Sequence, residues 1–354
     1  MAALSARSGA ATDAAVLDAI RRGPDITRIA IARELGVTPA TVTNSVKRLL
    51  ADGLVVENGR ARSTGGKPAS LLRVSTTSRW AIGCTLESDR IALVAMDIGG
   101  ALRGRAMLPH SPDAPADETE RRLEDALRGL GALDPAERAA FQGIGLTDLR
   151  SDPARRADLV ESLERLASRR VVRGTAAVCA GLGSDWVGEQ EHGEPCLTVH
   201  LGPIAAVALL LDGRPILPWG EASGELAASG AGAESDVRAA IEAGLGERLG
   251  LEAAEGRVIT AHARLTEAAA HGDAEAVRIV AEGARRLAES VGELVAPLGV
   301  RHVVLSGTSV AMAPRLYQDA MGGHLPAGTS LRISTVQPHP CSVGAAALAL
   351  MPGA

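Results

Sequence analysis

The chain has 354 residues, 46% of them hydrophobic and 22% charged, with a net charge of −5 and a mean hydropathy of +0.11. That size buries sizeable cores in about two or three domains, and no run of about 20 apolar residues is present to span a membrane. Four scattered cysteines without CxxC or His/Cys spacing read as buried, reduced thiols of a cytoplasmic protein, and three Trp, one Tyr and one Phe are too few for stacking platforms on single strands.

The N-terminal stretch has no apolar signal core and leads into a helix around Asp13–Arg21. Thr27 to Asp52 then reads as a helix-turn-helix. Ile29, Ile31, Ala32 and Leu35 supply the apolar face of a first helix, and Gly36 suits the left-handed residue that ends it. Thr38 is an N-cap, and Pro39 takes the first helical position, where its missing N–H costs nothing. Val42, Val46, Leu49 and Leu50 fall inward at helical spacing. Thr41, Thr43, Asn44, Lys47 and Arg48 are left on or near the outer face, a mix of hydroxyls and cations for phosphates with an amide and a guanidinium for base edges.

Leu54–Glu57 has a strand pattern, and Asn58-Gly59 is a hairpin-turn signal. Arg60, Arg62 and Lys67, with Gly65, Gly66 and Pro68, form a basic tip before Ser70–Val74 returns as a second strand. A helix-turn-helix followed by a basic hairpin is a winged helix-turn-helix. Residues 1–73 carry eleven Lys/Arg against six Asp/Glu, while the remainder carries 26 against 36. A basic module joined to an acidic body confines the electrostatic footprint on nucleic acid to one end.

From Trp80 the pattern changes. Residues 81–86 and 90–97 read as paired strands, with Asp97–Gly100 as the next turn. Helices at 114–131 and 153–169 flank a strand at 143–147, and Val171-Val172 precedes a helix at 176–188. Residues 197–201 and 205–211 form a hairpin, and 235–298 is a long helical stretch broken at glycines. A strand at 303–305, a helix at 312–321 and a closing helix at 341–351 complete the chain. Strands and helices alternating in two similar halves predict α/β lobes with a cleft between them.

On these residues the chain resembles the ROK family (repressors, open reading frames and sugar kinases), specifically its repressor branch. The resemblance runs through the helix-turn-helix with Thr38, Thr41 and Val42, and through Gly66-Lys67-Pro68 of the wing. It continues with 81–83, 97–100, Leu201-Gly202, 211–213, 224–226, 305–307 and 344–346. It implies an α/β architecture: an N-terminal winged helix-turn-helix at 1–76, then an actin-like, sugar-kinase-type two-lobed fold at 79–354. Lobe 1 would cover about 79–185 plus the C-terminal helix, and lobe 2 about 190–335.

The family's kinase motifs do not carry over. Its first phosphate loop falls on Thr85, Glu87, Ser88 and Asp89, since Asp97–Gly100 comes one strand too late. Its Asn-Asp catalytic base falls on Gly174-Thr175, and a hydroxyl cannot take a sugar's proton as a carboxylate can. Its second loop becomes Gly202–Ala206, where Pro203 removes an amide and Ile204 blocks approach. In the sugar and zinc element Glu225 remains, without the histidine or cysteines. The histidines form no HExxH or triad pattern.

The resulting expectation is a regulator, read as a repressor, with no catalytic residues, cofactor or metal. It would bind double-stranded DNA as a homo-oligomer, dimer or tetramer, on a near-palindromic operator. Thr41, Asn44 and Arg48 would face bases, Thr38, Thr43 and Lys47 phosphates, and Arg60, Arg62 and Lys67 the adjacent groove. Glu225 and Thr175 are the candidate contacts for a small-molecule effector. Two alternatives stand beside it: a metabolite-responsive repressor with an unusual effector pocket, and an atypical sugar kinase.

Overall fold

The computed structural model describes residues 9–61, 68–87, 89–110, 115–149, 153–190, 193–216, 224, 226, 230–251, 257–336 and 339–351. Arg62, Lys67, Ser88 and Glu225 lie outside the described residues.

The N-terminal unit is built from α1 (Gly9–Arg22), β1 (Ile26–Thr27), α2 (Arg28–Leu35), α3 (Pro39–Ala51), β2 (Val55–Arg60) and β3 (Ser70–Val74). Val16, Ile20, Ile31, Val42, Val46 and Leu72 are fully buried and form its core. Local chemistry sets the helix ends. Gly36 closes α2 at φ 64°, and Thr38 opens α3 by accepting from the Thr41 amide ahead of Pro39, a cap contributing about 1 kcal/mol.

Two expectations fail here. Ile29 does not join the apolar face of α2: it is 66% exposed, because the helix turns Ile31 and Ala32 to the core instead. Asn58-Gly59 is not the hairpin turn, since β2 runs through both residues to Arg60. The pairing register shifts between Glu57 and Arg60, and Gly59 takes φ 81°, so the glycine serves a β-bulge. The Asn58 amide donates to Asp25 (2.8 Å), which ties it into the sheet.

The body contains two five-stranded sheets of the same design. The first uses β4 (Trp80–Leu86), β5 (Arg90–Asp97), β6 (Leu102–Pro109), β7 (Phe141–Asp148) and β8 (Val171–Gly174) in the order β6-β5-β4-β7-β8. Here β4, β5 and β6 are antiparallel, and β7 and β8 run parallel to β4. The second sheet repeats this with β9 (Cys196–Leu201), β10 (Ala205–Leu211), β11 (Arg214–Pro215), β12 (His302–Ser306) and β13 (Ser330–Ile333), ordered β11-β10-β9-β12-β13. The turn at 97–100 joins β5 to β6, with Asp97 accepting from the Gly99 and Ala101 amides.

Helices α4 (Ala116–Gly129) and α5 (Pro153–Ala167) cover the first sheet through Leu123, Leu127, Leu159 and Leu163. The helical stretch after 233 divides into α7 (Ala233–Glu242), α8 (Gly246–Leu249), α9 (Val258–Ala270) and α10 (Ala274–Leu298). Gly244, Gly250 and Gly272 have positive φ at the breaks. Two short helices, α11 (Thr308–Met312) and α12 (Pro314–Gly322), follow β12.

Between the sheets lie two helices packed on one another, α6 (Ala176–Trp186) and α13 (Pro340–Leu350), with α13 against β4 and β7 and α6 against β9 and β10. The approach is backbone to backbone. A Cβ at Gly344 would stand 1.5 Å from the Cys179 carbonyl, one at Gly83 1.6 Å from that of Ser342, and one at Gly145 1.8 Å from that of Ala345. Only glycine permits this layer spacing. No helix among the described residues is long and apolar enough to cross a membrane.

Candidate DNA interface and inter-lobe cleft

The face of the N-terminal unit that carries Thr38, Thr43, Asn44 and Lys47 is exposed, while Val42, Ser45, Val46 and Leu49 of the same helix are buried. The spacing of α3 thus separates a packed side from a polar side. On that polar side the hydroxyls are engaged. Thr38 Oγ1 accepts from the Thr41 amide (3.2 Å) and lies 2.8 Å from Thr41 Oγ1, and Thr43 Oγ1 donates to the Pro39 carbonyl (2.8 Å). Phosphate oxygens only accept, so Thr43 must swing its proton off Pro39 to donate to one. Lys47 and Asn44 stand exposed beside them.

Arg48 is placed differently from its neighbours. Its Nε and Nη2 donate to the two carboxylate oxygens of Asp13 on α1 (2.7 and 2.6 Å), and Ser45 donates to the same carboxylate. The Arg48 hydrogen bonds hold the Asp13 carboxyl below its ordinary range. Sequence reading listed Arg48 but missed Asp13, because the partners lie on different helices.

The wing is braced at its base. Asp25, at φ 67°, accepts from Arg73 Nε (2.7 Å) and from Asn58, and these bonds lower its carboxyl pKa. Arg28 pairs with Glu57 (2.9 Å). Arg60 is exposed at the end of β2.

The unit is joined to the body through α1. Arg21 Nη1 donates to the Trp186 carbonyl (2.9 Å), and its Nη2 reaches Asp18 (2.8 Å) and Asp185 (3.2 Å). Its guanidinium carbon sits 4.0 Å from the centre of the Trp186 ring, a cation–π contact. Ile98, from the β5–β6 turn, is buried in the same core as Val16 and Leu72. The seam therefore has both apolar and ionic parts.

The cleft opens at the C-terminal ends of β4 and β9 and is lined by Thr85, Glu87, His200, Ser309, His339 and Cys341. Burial pushes Glu87 up to about 7 and His200 down to about 4. Thr85 is committed to Ser342 of α13 (2.7 Å). At the rim, Arg90 bonds Thr260 of α9 (2.7 Å), and Thr260 donates to Asp89 (3.0 Å), a contact between the lobes. Thr175, a candidate effector contact, caps α6 by accepting from the Val178 amide. The 202–206 loop packs on α7, with the Ala233 and Glu234 amides donating to the Gly202 and Pro203 carbonyls.

One histidine stands between a serine and an aspartate, without the order of a hydrolase triad. His262 lies between Ser309 (Nδ1, 2.8 Å) and Asp236 (Nε2, 3.2 Å), and Asp236 also meets Arg286 (3.1 Å). A hydrolase places Nε2 on the serine and Nδ1 on the acid; here the order is reversed, and Ser309 is 3% exposed. The group braces α7, α9, α10 and α11 as a satisfied buried network. Among the described residues, no cluster of three His, Cys, Asp or Glu side chains could hold a metal ion.

Comparison with known proteins agrees with this two-part architecture. Residues 10–62 match the family model described as the MarR family. The uncharacterized protein y4fQ of Sinorhizobium fredii is 27% identical over 135 residues, 37% of this chain and 33% of that protein, so the aligned part spans a third of its length. A crystal structure of a ROK family transcriptional regulator, a homolog of the E. coli MLC protein, superposes with a TM-score of 0.68 at 15% identity, covering 97% of this chain and 96% of the other. The ROK hexokinase of Thermus thermophilus superposes with a TM-score of 0.55 at 21% identity, covering 76% of this chain and 98% of its own. The chain thus has an N-terminal segment similar to the MarR family at residues 10–62, and it shares its fold with the ROK-family regulator and hexokinase structures.

Proposed function

We propose that the protein is a DNA-binding transcriptional regulator, acting as a repressor in the cytoplasm. The observation that carries this reading is α3, which turns Thr38, Thr43, Asn44 and Lys47 outward on a helix whose other side is packed. Asn44 and Thr41 are assigned to base edges, Lys47, Thr38 and Thr43 to phosphates, and Arg60, Arg62 and Lys67 to the groove beside the wing. Arg48 belongs to the same helix but is committed to Asp13. In a homodimer, two such helices would enter successive major grooves about 34–36 Å apart on a near-palindromic operator.

The residues after 79 serve as the oligomerisation and signalling body rather than as an enzyme. Thr85 and Thr175, at positions where the kinases' chemistry would stand, are held by internal bonds. Glu225 remains a candidate effector contact. Metabolite response in an unusual pocket is the second reading, favoured by the polar cleft around Glu87 and His200.

The test is selection of binding sites by the full chain from a pool of randomised duplexes, alongside an ATP-dependent phosphorylation assay on a panel of sugars. A two-fold symmetric site without sugar turnover is expected. Failure to enrich any duplex sinks the regulator reading, and turnover on any sugar sinks the non-enzymatic one.

A further inference from the structure

On α3, Thr41, Asn44 and Arg48 follow one another at helical steps of three and four, so they form one stripe along the edge of the exposed face. The last member of that stripe is the one that α1 takes hold of. Asp13 receives both Nε and Nη2 of Arg48, at 2.7 and 2.6 Å, and the Ser45 hydroxyl as well. Those two parallel donors are the fork with which an arginine reads the O6 and N7 atoms of guanine. Asp13 therefore occupies the same donors that a guanine would.

This pair is not a core element. The Arg48 side chain is 51% exposed, against 22% for Asp13, and ion pairs at such a surface add little to stability. Its consequence lies in direction. With the fork turned toward α1, the base-facing stripe keeps a hydroxyl and an amide, and Lys47 is the one cation of α3 not drawn into that pair. Asparagine amides pair with the N6 and N7 edge of adenine.

We infer that Asp13 is a specificity-determining residue, holding Arg48 off the bases so that the helix selects adenine through Asn44 and does not select guanine through Arg48. This rests on the reading of α3 as the helix that lies in the major groove.

The experiment is duplex selection and salt titration with the full chain, comparing the parent with Asp13→Asn, Arg48→Ala and the double variant. Asp13→Asn keeps an oxygen to accept from Ser45 while losing the charge that fixes the fork. It should gain a guanine preference in each half-site, about tenfold in relative affinity, with a salt slope steeper by about one. The double variant should lose both gains. Arg48→Ala alone should keep the parent's preferred bases.

Loss of a guanine preference in Arg48→Ala overturns the inference, as does an Asp13→Asn site identical to the parent's. Arg48→Ala decides the matter even where Asp13→Asn unfolds. Failure of the underlying reading looks different: Asn44→Ala would then select the same duplexes as the parent, showing that α3 is not the reader.

Discussion

The Arg21 guanidinium lies 3.2 Å from the Asp185 carboxylate, and both side chains are only 4% exposed. This pair joins α1 of the winged helix to the last turn of α6, the helix whose first residues follow Thr175 at the far end. Through α1 the same connection continues from Arg21 to Asp13 and so to α3. Helix α3 and the body are thereby linked through α1.

Replacing Arg21 by Ala leaves Asp185 without this partner in a place poor in water. Removing one member of a buried pair costs on the order of 3–5 kcal/mol. Urea unfolding should show that loss, and the combined Arg21→Met and Asp185→Leu variant should recover most of it. An Arg21→Ala midpoint equal to the parent's would show that the seam does not contribute to stability.

Lys47 and Asn44 should separate by the kind of contact they lose. Lys47→Ala should weaken binding to all duplexes about equally and flatten the salt slope by about one. Asn44→Ala should cost about 1–3 kcal/mol on the preferred duplex and relax one base position. Quantitative gel-shift titration at several salt concentrations distinguishes the two patterns, and their exchange would reverse the assignments.

Stability should depend on pH through Glu87 and His200, in opposite senses. Burial raises Glu87 from 4.5 to about 7, so its contribution is full below 4.5 and is lost as pH rises through about 7. Burial depresses His200 from 6.5 to about 4, so its contribution is full above 6.5 and is lost as pH falls through about 4. Where the two ranges overlap, from 4.5 to 6.5, the contributions offset one another. Glu87→Gln should unmask a rise in stability of up to about 3 kcal/mol with increasing pH, and His200→Asn should unmask a fall. Denaturant midpoints across a pH series read both, and parallel profiles for all three proteins would refute the assignment.

Gly344→Ala should be among the most damaging single changes in the body. The new methyl would stand 1.5 Å from a backbone carbonyl on α6, which no side-chain rotation relieves. Overpacking costs of about 3 kcal/mol or more are expected. A thermal melt that matches the parent's would mean the two helices separate freely.

What the chain disclosed by reading alone was chiefly what neighbours in sequence decide. Gly36, Thr38 and Pro39 mark helix ends because capping is settled within four residues. The glycine breaks before α8, α9 and α10 were visible for the same reason. Asn58-Gly59 misled because Asp25, 33 residues away, claims the asparagine amide and keeps the strand going. The edge strand β6 escaped notice since Arg103 and Arg105 interrupt its apolar pattern, and β13 is only four residues long. At the candidate interface, the exposed stripe of α3 was readable from periodicity, whereas the Asp13–Arg48 pairing spans two helices and left no local trace. The cleft's Glu87 stood in plain view, but its shifted proton affinity follows from burial between elements that no spacing rule brings together.

The position of α13 also sets an order of events during synthesis. The strands of the first sheet occupy 80–174, yet the helix that seals their inner side comes at 340–350, after the whole second sheet. At about 5–20 residues per second, a nascent chain holds that side uncovered for on the order of ten seconds. The winged helix has no such delay, since among the described residues its core draws on 16–74, with Ile98 and Trp186 from beyond. A ribosome-bound intermediate can thus present a finished DNA module while its body still needs protection from aggregation, which makes the body the segment for which chaperone assistance matters.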